Sequence, residues 1–151
     1  MHPLTMPRGI RNNNPGNIRR GKTVWKDQKP LQDDSAFVSF IDATSGLRAL
    51  MKTLLTYHMK YTLDTVESII NRWAPPHENP TDHYAHNVAR LLKVQRQDRL
   101  DLTSKPLLVL LAKAIVWQEN GQPGEPLPAF WYGDDLYSLA ADRALRSLQP
   151  A

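Results

Sequence analysis

The chain contains no cysteine, so neither a disulfide framework nor thiol catalysis is open to it. No apolar run approaches the ~20 residues of a membrane-spanning helix, and membrane insertion is not expected. Basic residues are scattered apart from the Arg8 to Lys26 stretch, with no long basic run, so nucleic acid is not indicated as a partner. There is no Gly-rich phosphate loop and no recognisable nucleophile elbow around a serine. The opening residues, Met1-His-Pro-Leu-Thr-Met-Pro7, lack the apolar core of a secretion signal. If the target lies outside the cytoplasm, delivery is expected to come from something else.

What remains is a chain of 151 residues, the length of one domain over 1–151 with one core. Hydrophobic residues make up 41% and charged residues 23%, the proportions of a globular protein. The net charge of +4, with a pI near 9.5, favours anionic partners: nucleic acid, a membrane surface or the bacterial cell wall.

The stretch Arg8-Gly-Ile-Arg-Asn-Asn-Asn-Pro-Gly-Asn-Ile-Arg-Arg20 is the most unusual. Gly and Asn accept left-handed backbone, and Asn-Pro and Pro-Gly mark turns. Two isoleucines sit inside it. An ordered loop is expected, pinned by Ile10 and Ile18, that presents amides and guanidinium groups. Amides both donate and accept, which suits sugar hydroxyls and N-acetyl groups. A basic turn with no ligand is the plainer alternative.

Two short strands, Thr23–Trp25 and Ala36–Ile41, are expected to form a small hairpin. Asp42 or Thr44 is positioned to cap a helix to about Tyr61, with Leu47, Leu50, Met51, Leu54 and Leu55 as its buried stripe. Asp64 and Glu67 have capping-box spacing for a short helix whose apolar face is Val66, Ile69, Ile70 and Trp73. Pro75-Pro76 stops it. Thr81 or Asp82 caps a third helix carrying Tyr84, Val88, Leu91 and Leu92. Ser104 caps a fourth, with Pro106 in its first turn and apolar residues nearly all round, which places it centrally. Gly121 suits its terminating turn. A last helix follows Asp134 or Asp135, with Leu136, Leu139, Ala140, Ala144 and Leu148 inward. The class is mainly α with a small β element, about five helices in one domain.

Glu119 is the sharpest candidate for chemistry. It ends the most apolar helix, where the negative end of the helix dipole and apolar neighbours both disfavour a charged carboxylate. An acid that keeps its proton is what protonation of a glycosidic oxygen needs. Trp117, two residues away, is a candidate stacking wall. Glu78, between His77 and Asn79 in a Pro-rich loop, is the second candidate acid. For each, a solvated turn acid is the alternative. Asp33, Asp34 and Asp42 border the strands and offer a second carboxylate. His77, His83 and His86 show no zincin pattern and have no Cys partner, so no metal or other cofactor is expected.

Three sets of residues together resemble a phage and prophage family. They are Arg8 to Arg19 with Trp25, Phe37 to Phe40 and Gly46 to Ala49; Thr65 to Thr81 with Tyr84; and Ala114 to Gly121. Its members are labelled virion structural proteins or lysozyme-like murein hydrolases. The resemblance covers residues 8–124. It implies a small lysozyme-like fold that acts on peptidoglycan, in a virion or in the host periplasm and wall after delivery, with other virion proteins as further partners. Leu111 to Gly121 is also similar to the segment in which lysozyme-superfamily and glucosaminidase sequences place a catalytic Glu, with Glu119 at that position. In the glucosaminidases an Asn-Asn-x-x-Gly-Ile element and a Trp follow that helix. Here the similar element, Asn13 to Ile18 with Trp25, precedes it, which implies a permuted chain order. Without permutation, Glu78 becomes the better acid.

The expected activity is cleavage of the glycan strand as a muramidase, glucosaminidase or lytic transglycosylase, with Glu119 as general acid. Asn13, Asn14, Asn17, Arg19, Trp25, Trp73, Tyr84 and Trp117 are expected to line the saccharide groove. A non-catalytic virion or wall-binding protein is the rival from another class, and a DNA-binding accessory protein is a third.

Overall fold

The computed structural model describes residues 6–76 and 80–149; His77 and Glu78 lie outside the described residues. Among the described residues the regular structure is six helices. They are α1 (Arg8–Arg11), α2 (Ala43–Tyr61), α3 (Val66–Trp73), α4 (Thr81–Leu92), α5 (Lys105–Asn120) and α6 (Asp134–Arg146). The chain is mainly α, as its periodicity indicates.

Helix α2 buries the whole expected stripe, Leu47, Leu50, Met51, Leu54 and Leu55. Each such fully buried leucine contributes about 2 kcal/mol. Asp42 caps it, accepting from the Ser45 N–H at 2.8 Å, and Thr62 ends it at φ 53°. Helix α5 is the central rod. Leu108, Leu111, Ala112, Ala114, Ile115 and Val116 are buried, and it touches α1, α2, α4 and α6.

The caps differ from the sequence reading at four helices. The box of α3 is formed by Thr65 and Ser68, not by Asp64 and Glu67. The helix starts one residue later than expected, which turns Glu67 outward. There it takes two bonds from the Arg96 guanidinium, at 2.7 and 3.0 Å. At α4 the capping position is Pro80, and the Thr81 hydroxyl donates back to the Ala74 carbonyl instead. Ser104 and Gly133 occupy the capping positions of α5 and α6 without side-chain bonds, and Asp134 pairs with Lys113 at 2.7 Å.

Helix α6 meets expectation at Ala140, Ala144 and the partly buried Leu136 and departs from it at the other positions. Tyr137, Ala140, Ala141 and Ala144 face inward, whereas Leu139 and Leu148 are exposed. Helix α6 packs chiefly on α2. Small residues let the two backbones approach, and Tyr137 fills the remaining space with its hydroxyl donating to the Phe130 carbonyl at 2.7 Å.

The expected hairpin is also corrected. Residues 36–41 pair through two isolated antiparallel bridges, Arg19 with Phe37 and Gln28 with Phe40. Trp25 instead closes a turn, its N–H donating to the Gln28 side chain at 2.9 Å, and Asp27 sits at φ 61°. The opening stretch, expected as loop throughout, begins with the single turn α1. Beyond it the loop is ordered as the two isoleucines suggest: Ile10 packs on the main core, and Ile18 with Trp25 packs on a smaller cluster of Val38, Phe40 and Ala49.

Asp34 ties this region together. It accepts from Arg8 twice at 2.6 Å, from the Asn12 side chain at 3.1 Å, and from the Ala36 and Phe37 N–H groups at 2.8 and 3.0 Å. The Arg8 guanidinium first, then these backbone donors, hold its carboxyl far below the usual carboxylate range. A group depressed in the fold stabilises it above its unfolded pKa, and that contribution is lost as the pH falls through the unfolded value toward the folded one. The stability gap between wild type and Asp34→Asn, read by urea unfolding, should therefore be full at pH 7 and narrow below about pH 4. A gap that widens on acidification would contradict this assignment.

Candidate active site

The Asn-rich loop is built from its own amides. Asn14 is fully buried; its Nδ2 donates to the Ile18 and Val38 carbonyls, both at 2.9 Å, and its Oδ1 accepts from the Ile18 N–H at 3.0 Å. Asn13 and Asn17 both sit at φ 51°, the left-handed region that Asn tolerates. Asn13 Nδ2 donates to the Phe40 carbonyl at 3.2 Å. The loop is then fastened to the central rod, where Asn120 Nδ2 donates to the Pro15 carbonyl at 2.7 Å. The consequence is that Asn17 faces the last turn of α5.

There Asn17 Nδ2 donates to Glu119 Oε1 at 3.0 Å, across 102 positions of sequence. From the other side the Tyr84 hydroxyl on α4 donates to Glu119 Oε2 at 2.8 Å. Burial pushes the Tyr84 hydroxyl well above its ordinary pKa, the Glu119 charge and hydrogen bond push the same way, and a hydrogen bond with Trp73 opposes them. Tyr84 thus keeps its proton and acts as a fixed donor. Glu119 is half-buried and opens on a cleft of about 480 Å³. The cleft is walled by Trp25, Phe37, Tyr57 and Trp73, with Asn17 and Arg19 on the loop side and Thr53 and Arg72 on the helical side.

The structure therefore brings together Glu119, Asn17, Arg19, Trp25 and Trp73. Tyr84 meets the acid rather than forming an open wall. Asn13 and Asn14 shape the loop from behind. Trp117 lies elsewhere: it stacks on Phe130 at 4.3 Å, donates to the Ala129 carbonyl at 2.6 Å, and lines a separate groove with Asn87 and Arg90. Of the other acids, Asp34 is tied to Arg8, Asp33 to Lys29 at 2.9 Å, and Asp42 caps α2. Glu119 is the one carboxyl lining the cleft among the described residues.

Phe37, Thr53, Tyr57 and Arg72 were not singled out from the sequence. For Tyr57 a signal existed. Tyr57 and Tyr61 are an aromatic pair four apart on α2, outside its leucine stripe, and Arg72 stacks on both, at 5.1 and 4.1 Å.

A carboxyl held at both oxygens by neutral donors, at the mouth of a cleft with indole walls and amide edges, can exchange a proton with a sugar stacked there. No family model matches the chain. Protein P5 of Pseudoalteromonas phage PM2 is 38% identical to it over 117 residues, which is 76% of this chain and 71% of that protein. No helix among the described residues is long and apolar enough to cross a membrane. On that identity over that share of both sequences, the chain belongs to the family of Protein P5 of phage PM2.

Proposed function

We propose that this phage-related protein cleaves the glycan strand of peptidoglycan, with Glu119 as the general acid. The observation that carries the reading is the meeting of Glu119, Asn17 and Tyr84 at one cleft walled by Trp25 and Trp73. Indole faces stack on the apolar faces of sugars, and the Asn17 amide offers both a donor and an acceptor to an N-acetyl group. The loop that precedes α5 in sequence stands beside its end in space, the arrangement a permuted lysozyme-like fold requires. A single cleft carboxyl among the described residues suits a lytic transglycosylase, in which the sugar's own hydroxyl attacks; a hydrolase needs a second carboxylate or a positioned water. The phage relative supports a place in the virion, from which the enzyme would reach the wall.

The test is incubation of purified protein with sacculi, following turbidity and released muropeptides. Release is expected, and mass spectrometry then separates anhydro ends from reducing ends. Binding to sacculi without any release would favour a non-catalytic virion or wall-binding protein.

A further inference from the structure

We infer that the cleft beside Glu119 selects a glycan bearing carboxylate groups, through Arg72 and Arg19. This rests on the glycan-cleaving reading and narrows its substrate to the peptide-substituted strand. Both guanidinium groups line the cleft. Arg72 lies 4.1 Å from the Tyr61 ring centroid, and Arg19 lies 5.1 Å from that of Phe37. Stacking fixes the plane of a guanidinium, and although Arg72 also hydrogen-bonds Tyr57, five N–H donors leave it enough for a carboxylate fork. Among the described residues neither makes an ion pair, whereas Arg8, Lys29, Arg96, Arg99, Lys105 and Lys113 all do. Two cations without an ion pair against one carboxyl, among the described residues, make the cleft attractive to anions. A neutral polysaccharide has no use for them, whereas the stem peptides of peptidoglycan end in carboxylates.

The probes are chitotetraose, which is neutral, and a disaccharide-tetrapeptide, both titrated into Glu119→Gln protein so that binding is read without turnover. The disaccharide-tetrapeptide should bind about tenfold tighter or more. Arg72→Gln should remove most of that difference by weakening the disaccharide-tetrapeptide far more than chitotetraose. Equal affinity for the two probes, or an Arg72→Gln protein that keeps the preference, overturns the inference. The two readings fail separately. Selective binding without muropeptide release by wild type sinks the catalytic proposal alone, and cleavage of sacculi with equal binding sinks this one alone.

A different observation concerns which oxygen of Glu119 would carry a proton. Asn17 Oδ1 and Asn120 Oδ1 are buried without a hydrogen-bond partner. Both lie 2.7 Å from the point that a Cβ on Gly9 would occupy, so they face one spot. Turning the Asn17 amide over would bring Nδ2 toward Asn120 Oδ1 and Oδ1 toward Glu119 Oε1. The second contact is attractive only if Oε1 carries a proton, because two bare oxygens repel. The carboxylate thus leaves two buried acceptors without a partner; with the acid, a turned Asn17 amide gives its own Oδ1 the Glu119 proton and aims Nδ2 to the side of Asn120 Oδ1. Oε2 already accepts from Tyr84. Among the described residues the other titratable side chains lining the cleft are Arg19, Tyr57 and Arg72, and none meets Asn17 Oδ1. The geometry points to Oε1 as the proton-bearing atom, with the Asn17 orientation following the proton and Asn120 as a positioning residue.

In Glu119→Gln the introduced amide donates as the neutral acid would. Nuclear Overhauser contacts from the Asn17 side-chain amide protons to the Gly9 Hα are expected in that variant. They should be absent in wild type with Glu119 as the carboxylate. One unchanged Asn17 orientation in both proteins overturns the assignment, and no turnover is needed to see it.

Discussion

Glu119→Gln is expected to lower muropeptide release from sacculi by about 10³-fold while leaving the unfolding transition where it is in wild type. The substitution is isosteric. Its amide oxygen can still accept from Tyr84 and its amide nitrogen can donate to a turned Asn17, so no buried group loses its partner. What disappears is the transferable proton. A positioned general acid contributes about 10² to 10⁴ in rate, and here no neighbouring carboxyl of the cleft can substitute for it among the described residues. Full activity in the variant would remove Glu119 from the chemistry, and Glu78→Gln, in the Pro-rich loop, becomes the next protein to assay. Loss of activity together with a shifted unfolding midpoint would instead show damage to the fold. The two readouts must therefore be taken on the same preparation.

The parts of this structure that were legible in the sequence are those fixed by local periodicity. The stripe from Leu47 to Leu55 and the apolar run from Leu107 to Val116 define α2 and α5 because burial follows a 3.6-residue repeat. On α6 the sequence places Ala140 and Ala144 correctly but turns Leu139 and Leu148 inward, because leucines outweigh alanines in any hydrophobic count. Its true face, Ala140, Ala141 and Ala144, is set by how closely α2 approaches, which no single helix records. Caps failed for a similar reason. Glu67 has the right spacing for a box with Asp64, but Arg96, 29 residues on, claims it. At the site, Glu119, Asn17, Trp25 and Trp73 were foreseen individually, as unusual residues in unusual places. The contact between Asn17 and Glu119 was not derivable from either neighbourhood. Trp117 shows the converse. Its nearness to Glu119 in sequence is real, but a turn of helix points it toward Phe130 and away from the cleft. Asn13 and Asn14 look like ligand-binding amides in the sequence because the residue type that recognises sugars is also the one that holds a left-handed loop together.

Gly46→Ala should destabilise the fold by about 4 kcal/mol or more, enough to leave the protein largely unfolded or insoluble. On helix propensity alone the change would be favourable by up to about 1 kcal/mol, since Gly46 lies in the first turns of α2. Packing reverses the sign. A Cβ built on Gly46 would stand 1.8 Å from the Asn13 carbonyl oxygen, 2.8 Å from its carbon and 3.1 Å from Pro15 Cδ. The obstacle is backbone, so no rotamer change relieves it. Either α2 retreats from the loop and disturbs its packing on α6 and the core, or the Asn13 peptide moves. The second outcome carries Asn17 with it, because Asn13 and Asn17 belong to the loop that Asn14 cross-links. Any folded fraction should therefore be catalytically impaired beyond its loss of population. Gly21→Ala is the control: a Cβ there meets nothing within 4 Å, and its unfolding midpoint should match wild type. Urea unfolding followed by circular dichroism, with muropeptide release normalised to folded protein, separates the two effects. A Gly46→Ala protein as stable as Gly21→Ala would mean that the loop does not press against α2. The placement of Asn17 at Glu119, on which the catalytic reading stands, would then lose its mechanical basis.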